Sequence, residues 1–168
     1  GEREVGGGSQ GEGEGEGWEE WCGLLLEECE DTLLVVDEAY LPFCEVEVDL
    51  RRYLSSGRLL LLRSLTKDHG LAGLRLGYAI SSPDVLDPVR RVRPPWSVNA
   101  LAQAAGLAAL DDAGHVEAAR GVVSEARVFL ATELSALGLG VIPSAANFLL
   151  VRVGDGAAFR SRLLERGV

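Results

Sequence analysis

Methionine is absent from this chain of 168 residues, and of its sixteen lysines and arginines only one, Lys67, is lysine. No apolar run approaches the roughly 20 residues that span a bilayer, and no basic stretch followed by an apolar one opens the chain. The expected compartment is therefore the cytoplasm. Cysteine is scarce too: Cys22, Cys29 and Cys44 show no CxxC spacing, so buried structural thiols are expected in place of a disulfide framework or a zinc site. Excess positive charge is also missing. Residues 1–30 hold ten Glu and one Arg, net −9, and residues 31–168 hold sixteen acidic and fifteen basic groups, net −1, which together give the chain's −10. A nearly neutral body has no face with which to neutralise phosphates, and this argues against nucleic acid as a partner. His69 and His115 have no carboxylate or cysteine at ligand spacing, so no metal site is expected. Gly70, Gly73 and Gly77 do not form GxGxxG between a strand and a helix, so no dinucleotide site is expected either.

What is present suffices for a core: 47% of residues are hydrophobic and the mean hydropathy is +0.13. Residues 1–17 are an exception, being almost entirely glycine and glutamate, and are expected to be flexible and solvated. Without a starting methionine, the chain is expected to be a fragment with its true beginning upstream. From Trp18 the positions Trp18, Trp21, Cys22, Leu25 and Cys29 recur at three and four, the pattern of an amphipathic helix. Two short apolar runs follow, Leu33 to Val36 and Leu59 to Leu62, each of the kind that is buried on both faces in a parallel sheet. Arg75 to Ile80 predicts another strand, Pro83 to about Val92 a short helix, and Ser97 or Asn99 a cap for a helix running to about Leu110. A long helix is expected from about His115 to Leu137, with Val116, Ala119, Val123, Ala126, Leu130 and Leu134 on one stripe. Strands at Val141–Ile142 and Asn147–Val153 and a helix from near Gly156 complete the chain.

The lone lysine lies in RSLTKDHGLAGLRLGY, residues 63–78. An amine can lose its proton and attack a carbonyl, whereas a guanidinium stays protonated at any workable pH. The two apolar runs end in Asp37-Glu38-Ala39-Tyr40 and in Arg63-Ser64, with Lys67 just beyond the second. Parallel strands would thus carry Asp37, Tyr40, Ser64 and Lys67 to one sheet edge, where α/β folds place their ligands. Taken singly, each residue has an ordinary structural explanation: a carboxylate capping a turn, a core tyrosine, a turn serine, a loop lysine. Arg75, eight positions past Lys67, could equally be a surface arginine.

The segments VVDEAY, SLTKDHGLAGLRLGY, PPWSVNALAQAAGLAAL and NFLLVRV, taken together, resemble the fold-type I pyridoxal-phosphate-dependent enzymes of aminotransferase class I/II. The closest likeness is to the branch that holds histidinol-phosphate aminotransferases and threonine-phosphate decarboxylases. The resemblance covers most of residues 18–168. It implies a three-layer α/β/α fold: residues 18–113 the C-terminal part of a cofactor-binding large domain with a mostly parallel sheet, 114–137 an interdomain helix, and 138–168 the start of a small α/β domain. It also implies roles. Lys67 would form a Schiff base with the aldehyde of pyridoxal 5'-phosphate and then move a proton between the substrate Cα and the cofactor. Asp37 would keep the pyridine nitrogen protonated, Tyr40 would donate to the phenolate oxygen, and Ser64 and Arg75 would hold the phosphate. Trp96 and Asn99 fall in a segment that lies near the active site in relatives, although packing and capping explain them equally well.

The implied reaction is amino transfer between a phosphorylated or aromatic amino acid and 2-oxoglutarate, in a homodimer. Decarboxylation of threonine phosphate in cobalamin synthesis is the alternative within the family. A truncated remnant without catalysis is the alternative outside it. The chain departs from the family pattern by lacking the NPxNPTG motif ahead of Trp18, a glycine and serine loop for the phosphate, an aromatic stacked on the ring, and an arginine for the substrate carboxylate.

Overall fold

The computed structural model describes residues 12–46 and 48–168. Its elements are α1 (Glu12–Glu28), β1 (Leu34–Asp37), β2 (Leu59–Ser64), β3 (Gly77–Ser81), α2 (Pro83–Val92), α3 (Ala100–Asp111), α4 (His115–Ala136), β4 (Gly140–Ile142), β5 (Leu150–Arg152) and α5 (Gly156–Glu165). Two 3-10 segments, Leu41–Phe43 and Leu50–Ser56, occupy the β1–β2 connection, and among its described residues the crossover contains no α-helix. The result is a mixed α/β arrangement. A three-stranded sheet runs in the order β1-β2-β3, and β4 and β5 form a separate antiparallel pair.

Residues 1–11 of the segment expected to be flexible lie outside the described residues. Its remainder does not match the expectation, because α1 already begins at Glu12. Glutamate is a good helix former, and alternation with glycine does not prevent helix at 12–17.

The expected parallel pairing of β1 and β2 is observed, with Leu34 opposite Leu59 and Asp37 opposite Leu62. Burial on both faces is not. Leu59 and Leu61 are 0% exposed beneath α1, and they pack with Cys22, Leu26 and Leu50. On the opposite face Val35 is 50% and Leu62 is 36% exposed. The apolar runs are therefore unalternating because the sequence is written for two covered faces, while the described chain covers one.

The sheet is also less parallel than expected, since β3 returns antiparallel to β2 with Ser64 opposite Gly77. Only residues 65–76 join the two strands, and they fold into a compact turn tied by Leu65 N–H donating to the Leu76 carbonyl and Leu71 N–H to the Leu65 carbonyl. That turn leaves no helix to carry the chain back for a parallel strand. Gly77 is required where β3 begins: a Cβ there would lie 2.7 Å from the Arg63 carbonyl oxygen.

Helix α1 presents a different face from the one its spacing suggested. Cys22 and Leu26 are buried, whereas Trp18, Trp21 and Cys29 are exposed, with the two indoles stacked at 5.2 Å. The apolar residues of this helix encircle it, so periodicity alone does not choose a face. Gly23 and Glu19 do. A side chain at Gly23 would meet the Tyr53 ring, and Glu19 pairs with Arg52 at 2.9 Å. Of the three thiols only Cys22 is buried; Cys44 is half-buried, and burial pushes both of these up.

Helix α3 starts where the sequence places it. The Asn99 side chain accepts from Ala102 N–H at 2.9 Å, and Ser97 plays no capping part. Ala102 is fully buried, and a Cβ on Gly106 would run into Leu76, so α3 packs directly over the Lys67 turn. Helix α4 has the expected length, but Leu130 is 46% exposed. Its half-buried stripe combines Val116, Ala119 and Val123 with the polar residues Arg120, Ser124 and Arg127. Among the described residues no helix is long and apolar enough to cross a membrane.

Candidate active site

The candidate residues gather at the carboxyl ends of β1 and β2. Asp37 closes β1, and its Oδ1 accepts from Ala39 N–H at 2.9 Å, which turns the chain toward Tyr40. Ser64 closes β2. Because Asp37 stands opposite Leu62, Ser64 is two residues further along the same face of the sheet. The Ser64 hydroxyl is 2.6 Å from the Thr66 hydroxyl and accepts from Thr66 N–H at 3.2 Å, which starts the turn that carries Lys67.

Lys67 itself is exposed, and its Nζ lies 5.1 Å from the centroid of the Tyr40 ring, within the range of a cation–π contact. Two strand ends that are 27 residues apart in sequence, Asp37 and Ser64, thus bring an amine onto a phenol. Phe148, which precedes β5, meets Tyr40 edge-on at 5.4 Å between centroids. Arg75 is differently placed. Its backbone is left-handed, with φ 58, and its Nη1 donates to the Ala72 carbonyl at 3.2 Å, so it folds back on its own turn. Trp96 also has positive φ, 60, and is 98% exposed.

Behind the strand ends is a charged layer that sequence reasoning missed. Glu38, 4% exposed, accepts from Arg63 Nε at 2.7 Å. Burial works against the Arg63 charge, and the hydrogen bond and charge of Glu38 outweigh it, so the guanidinium stays above its ordinary value. His69 and His115 stack at 5.2 Å with an interplanar angle of 15°, joining the Lys67 turn to the start of α4. Glu38, Arg63, Asp68, His69 and Arg120 line a cleft of about 620 Å³, which reaches the candidate set only at Ser64. Among the described residues no cluster of three or more His, Cys, Asp or Glu could hold a metal ion.

Helix α4 grips the turn after Tyr40 through residues 120, 124 and 127, which share one helical face. Arg120 Nε donates to the Pro42 carbonyl at 3.1 Å, and Ser124 Oγ donates to Glu45 Oε1 at 2.7 Å. Arg127 bonds Glu45 Oε1 at 2.5 Å and, through its other nitrogen, the carbonyls of Ala145 and Ala146 at 3.1 and 3.3 Å. The hydrogen bond from Ser124, and then the bond and charge of Arg127, hold the Glu45 carboxyl below its ordinary value. The contacts with Pro42 and Glu45 span 78 to 82 positions of sequence and involve polar residues. Hydrophobic spacing carries no signal for them.

The donor set, an amine, a carboxylate, a phenol, a hydroxyl and a guanidinium, suits a ligand that offers an aldehyde, a basic ring nitrogen, a phenolate and a phosphate. Comparison with known proteins points the same way. The aminotransferase class I and II family model matches residues 18–168. A histidinol-phosphate aminotransferase of Symbiobacterium thermophilum is 47% identical over 139 residues, which are 82% of this chain and 38% of the relative. One from Haloarcula marismortui is 46% identical over 83% of this chain and 38% of the relative. The chain therefore spans about 38% of the length of these curated relatives. Among solved structures, histidinol-phosphate aminotransferase from Sinorhizobium meliloti in complex with pyridoxal-5'-phosphate aligns with TM-score 0.76 and 27% identity, over 90% of this chain and 41% of that one. L-threonine-O-3-phosphate decarboxylase from Porphyromonas gingivalis aligns with TM-score 0.75 and 30% identity, over 86% and 46%. With its family model matched over nearly the whole length, this chain belongs to the aminotransferase class I and II family.

Proposed function

We propose that this chain carries the lysine side of the active site of a pyridoxal-phosphate-dependent aminotransferase of the histidinol-phosphate aminotransferase type. The observation that carries the reading is Lys67 Nζ resting against the Tyr40 ring, with Asp37 and Ser64 at the ends of adjacent strands. Pyridoxal phosphate, when bound, supplies an aldehyde and an electron-withdrawing ring. Lys67 would hold it through its amine and then move a proton at the substrate Cα. Asp37 would face the ring nitrogen with the carboxylate oxygen that Ala39 leaves free, and Tyr40 would donate to the phenolate oxygen. Ser64 and Arg75 would hold the phosphate.

The substrates would be a phosphorylated or aromatic amino acid and 2-oxoglutarate, with a homodimer as the working form. Residues 18–113 would belong to the cofactor domain, 114–137 to the interdomain helix and 138–168 to the small domain. The likeness to the threonine-phosphate decarboxylase supports decarboxylation as the second reading. Both reactions use the same lysine.

Incubation with pyridoxal phosphate, borohydride reduction and peptide mass spectrometry tests the assignment. Label on the peptide containing Lys67 is expected, and label confined to the N-terminal amine would overturn it in favour of a remnant without a site. Arg75 offers a second check. Arg75→Gly is expected to relieve roughly 1 kcal/mol of left-handed strain, so the thermal midpoint should hold or rise. The same change should weaken retention of pyridoxal phosphate by about tenfold or more, since a charge-assisted phosphate contact is lost. A midpoint that falls with retention intact would assign Arg75 a purely structural part.

A further inference from the structure

The amine of Lys67 meets an aromatic ring far from it in sequence. Tyr40 lies under Nζ at 5.1 Å, and Tyr40 is in turn flanked edge-on by Phe148 at 5.4 Å. An edge-to-face pair at this distance fixes a ring's tilt as well as its place. Tyr40 and Phe148 sit on separate segments, the turn after β1 and the loop before β5. Besides that aromatic pair, Arg127 joins those segments: its guanidinium reaches Glu45 on the first and the carbonyls of Ala145 and Ala146 on the second. Its side chain is 12% exposed, so the guanidinium and its contacts with the two carbonyls are largely shielded from water, while the Glu45 carboxylate, 57% exposed, stays at the surface.

We propose that Arg127 is a positioning residue for the Lys67 amine: by tying Glu45 to the 145–146 backbone it sets Phe148 against Tyr40, and thereby sets the Tyr40 ring under Nζ. The proposal rests on Lys67 being the cofactor lysine and extends that reading into helix α4 and the β4–β5 unit. Arg127 touches neither the amine nor any ligand of it. Guanidinium geometry is needed here, because only a planar fork can serve a carboxylate on one branch and two carbonyls on the other.

Having one lysine makes the test direct. Reductive methylation with carbon-13 formaldehyde places one side-chain NMR probe on Nζ, and the N-terminal amine gives the only other signal. In the native chain the Lys67 methyl signal should carry an upfield ring-current shift, which Tyr40→Leu abolishes. Arg127→Gln and Phe148→Leu should each remove much of that shift, and the double variant should remove no more than the larger single effect, since both act through Tyr40. Glu45→Gln, at an exposed partner, should reproduce part of the Arg127 effect in a folded chain, and thermal unfolding of each variant checks that the fold persists. Native shifts in Arg127→Gln and Glu45→Gln, or effects that add in the double variant, would overturn the proposal.

Capture of pyridoxal phosphate is a separate measurement. Its rate at Lys67 should fall about fivefold in Phe148→Leu, in line with loss of one aromatic pair. An unchanged capture rate beside altered methyl shifts would remove the consequence for chemistry and overturn the positioning claim. Absence of capture in the native chain, with the methyl shifts behaving as described, would instead strike the cofactor reading and leave the Arg127 tie standing.

Discussion

Lys67→Arg should leave the chain folded and unable to capture pyridoxal phosphate. Arginine keeps the positive charge, and its guanidinium can occupy the same place against the Tyr40 ring, where Nζ now lies 5.1 Å from the centroid. What it lacks is an uncharged amine, because the guanidinium does not give up its proton. Sixteen cations become sixteen arginines, and the side chains then contain no amine at all. Label after borohydride reduction should drop to the background set by the N-terminal amine, a complete loss at this position, while circular dichroism and the unfolding midpoint stay near the native values. Lys67→Ala would lose capture and also the contact with Tyr40, so the arginine variant is the sharper probe. Capture persisting in Lys67→Arg would exclude Lys67 as the cofactor lysine.

Leu61→Ala should be among the most damaging of the conservative core substitutions. Leu61 is 0% exposed and belongs to a central cluster with Cys22, Leu26, Leu50 and Leu59. Truncating a fully buried leucine costs about 3 kcal/mol, with a range of 2–5, against a total stability of roughly 5–15 kcal/mol for an ordinary domain. Among the described residues only nine hydrophobic side chains are buried, while Val35, Phe148 and Leu150 are among the many left exposed, so this chain belongs at the low end. Urea titration of Leu61→Ala should therefore show a greatly lowered midpoint or no folded baseline. Leu62→Ala, one residue along on the uncovered face and 36% exposed, should lower the midpoint much less. Equal losses at the two positions would mean that both faces of β2 are packed in solution.

The parts of this fold that were legible in the sequence are those set by local rules. Two unalternating apolar runs indicated the parallel pair β1 and β2, Asn99 indicated the start of α3, and the spacing from His115 indicated the length of α4. Local rules also gave the placement of part of the candidate set, because Asp37 and Ser64 end their strands and Lys67 comes just after. Where choices depend on partners distant in sequence, the reading failed. The face of α1 was decided by Tyr53 against Gly23 and by Arg52 with Glu19, and the direction of β3 by a compact 65–76 turn. The tie through Arg127 was invisible for the same reason, and so was the edge-on approach of Phe148. Arg75 stood at the right spacing, yet its left-handed backbone turns the guanidinium toward Ala72, which spacing does not encode.

The uncovered face of the sheet has a consequence for the life of the polypeptide in solution. Among the described residues strand β1 is the end strand of its sheet; Val35 on it is 50% exposed and Leu33, just before it, 46%. A bare backbone edge flanked by β-branched and aliphatic side chains is a template on which another copy can add a strand, and four apolar residues in a row carry no charge to discourage it. Soluble yield of this chain on its own should therefore fall as its concentration rises, and light scattering across a dilution series would register the growth of assemblies.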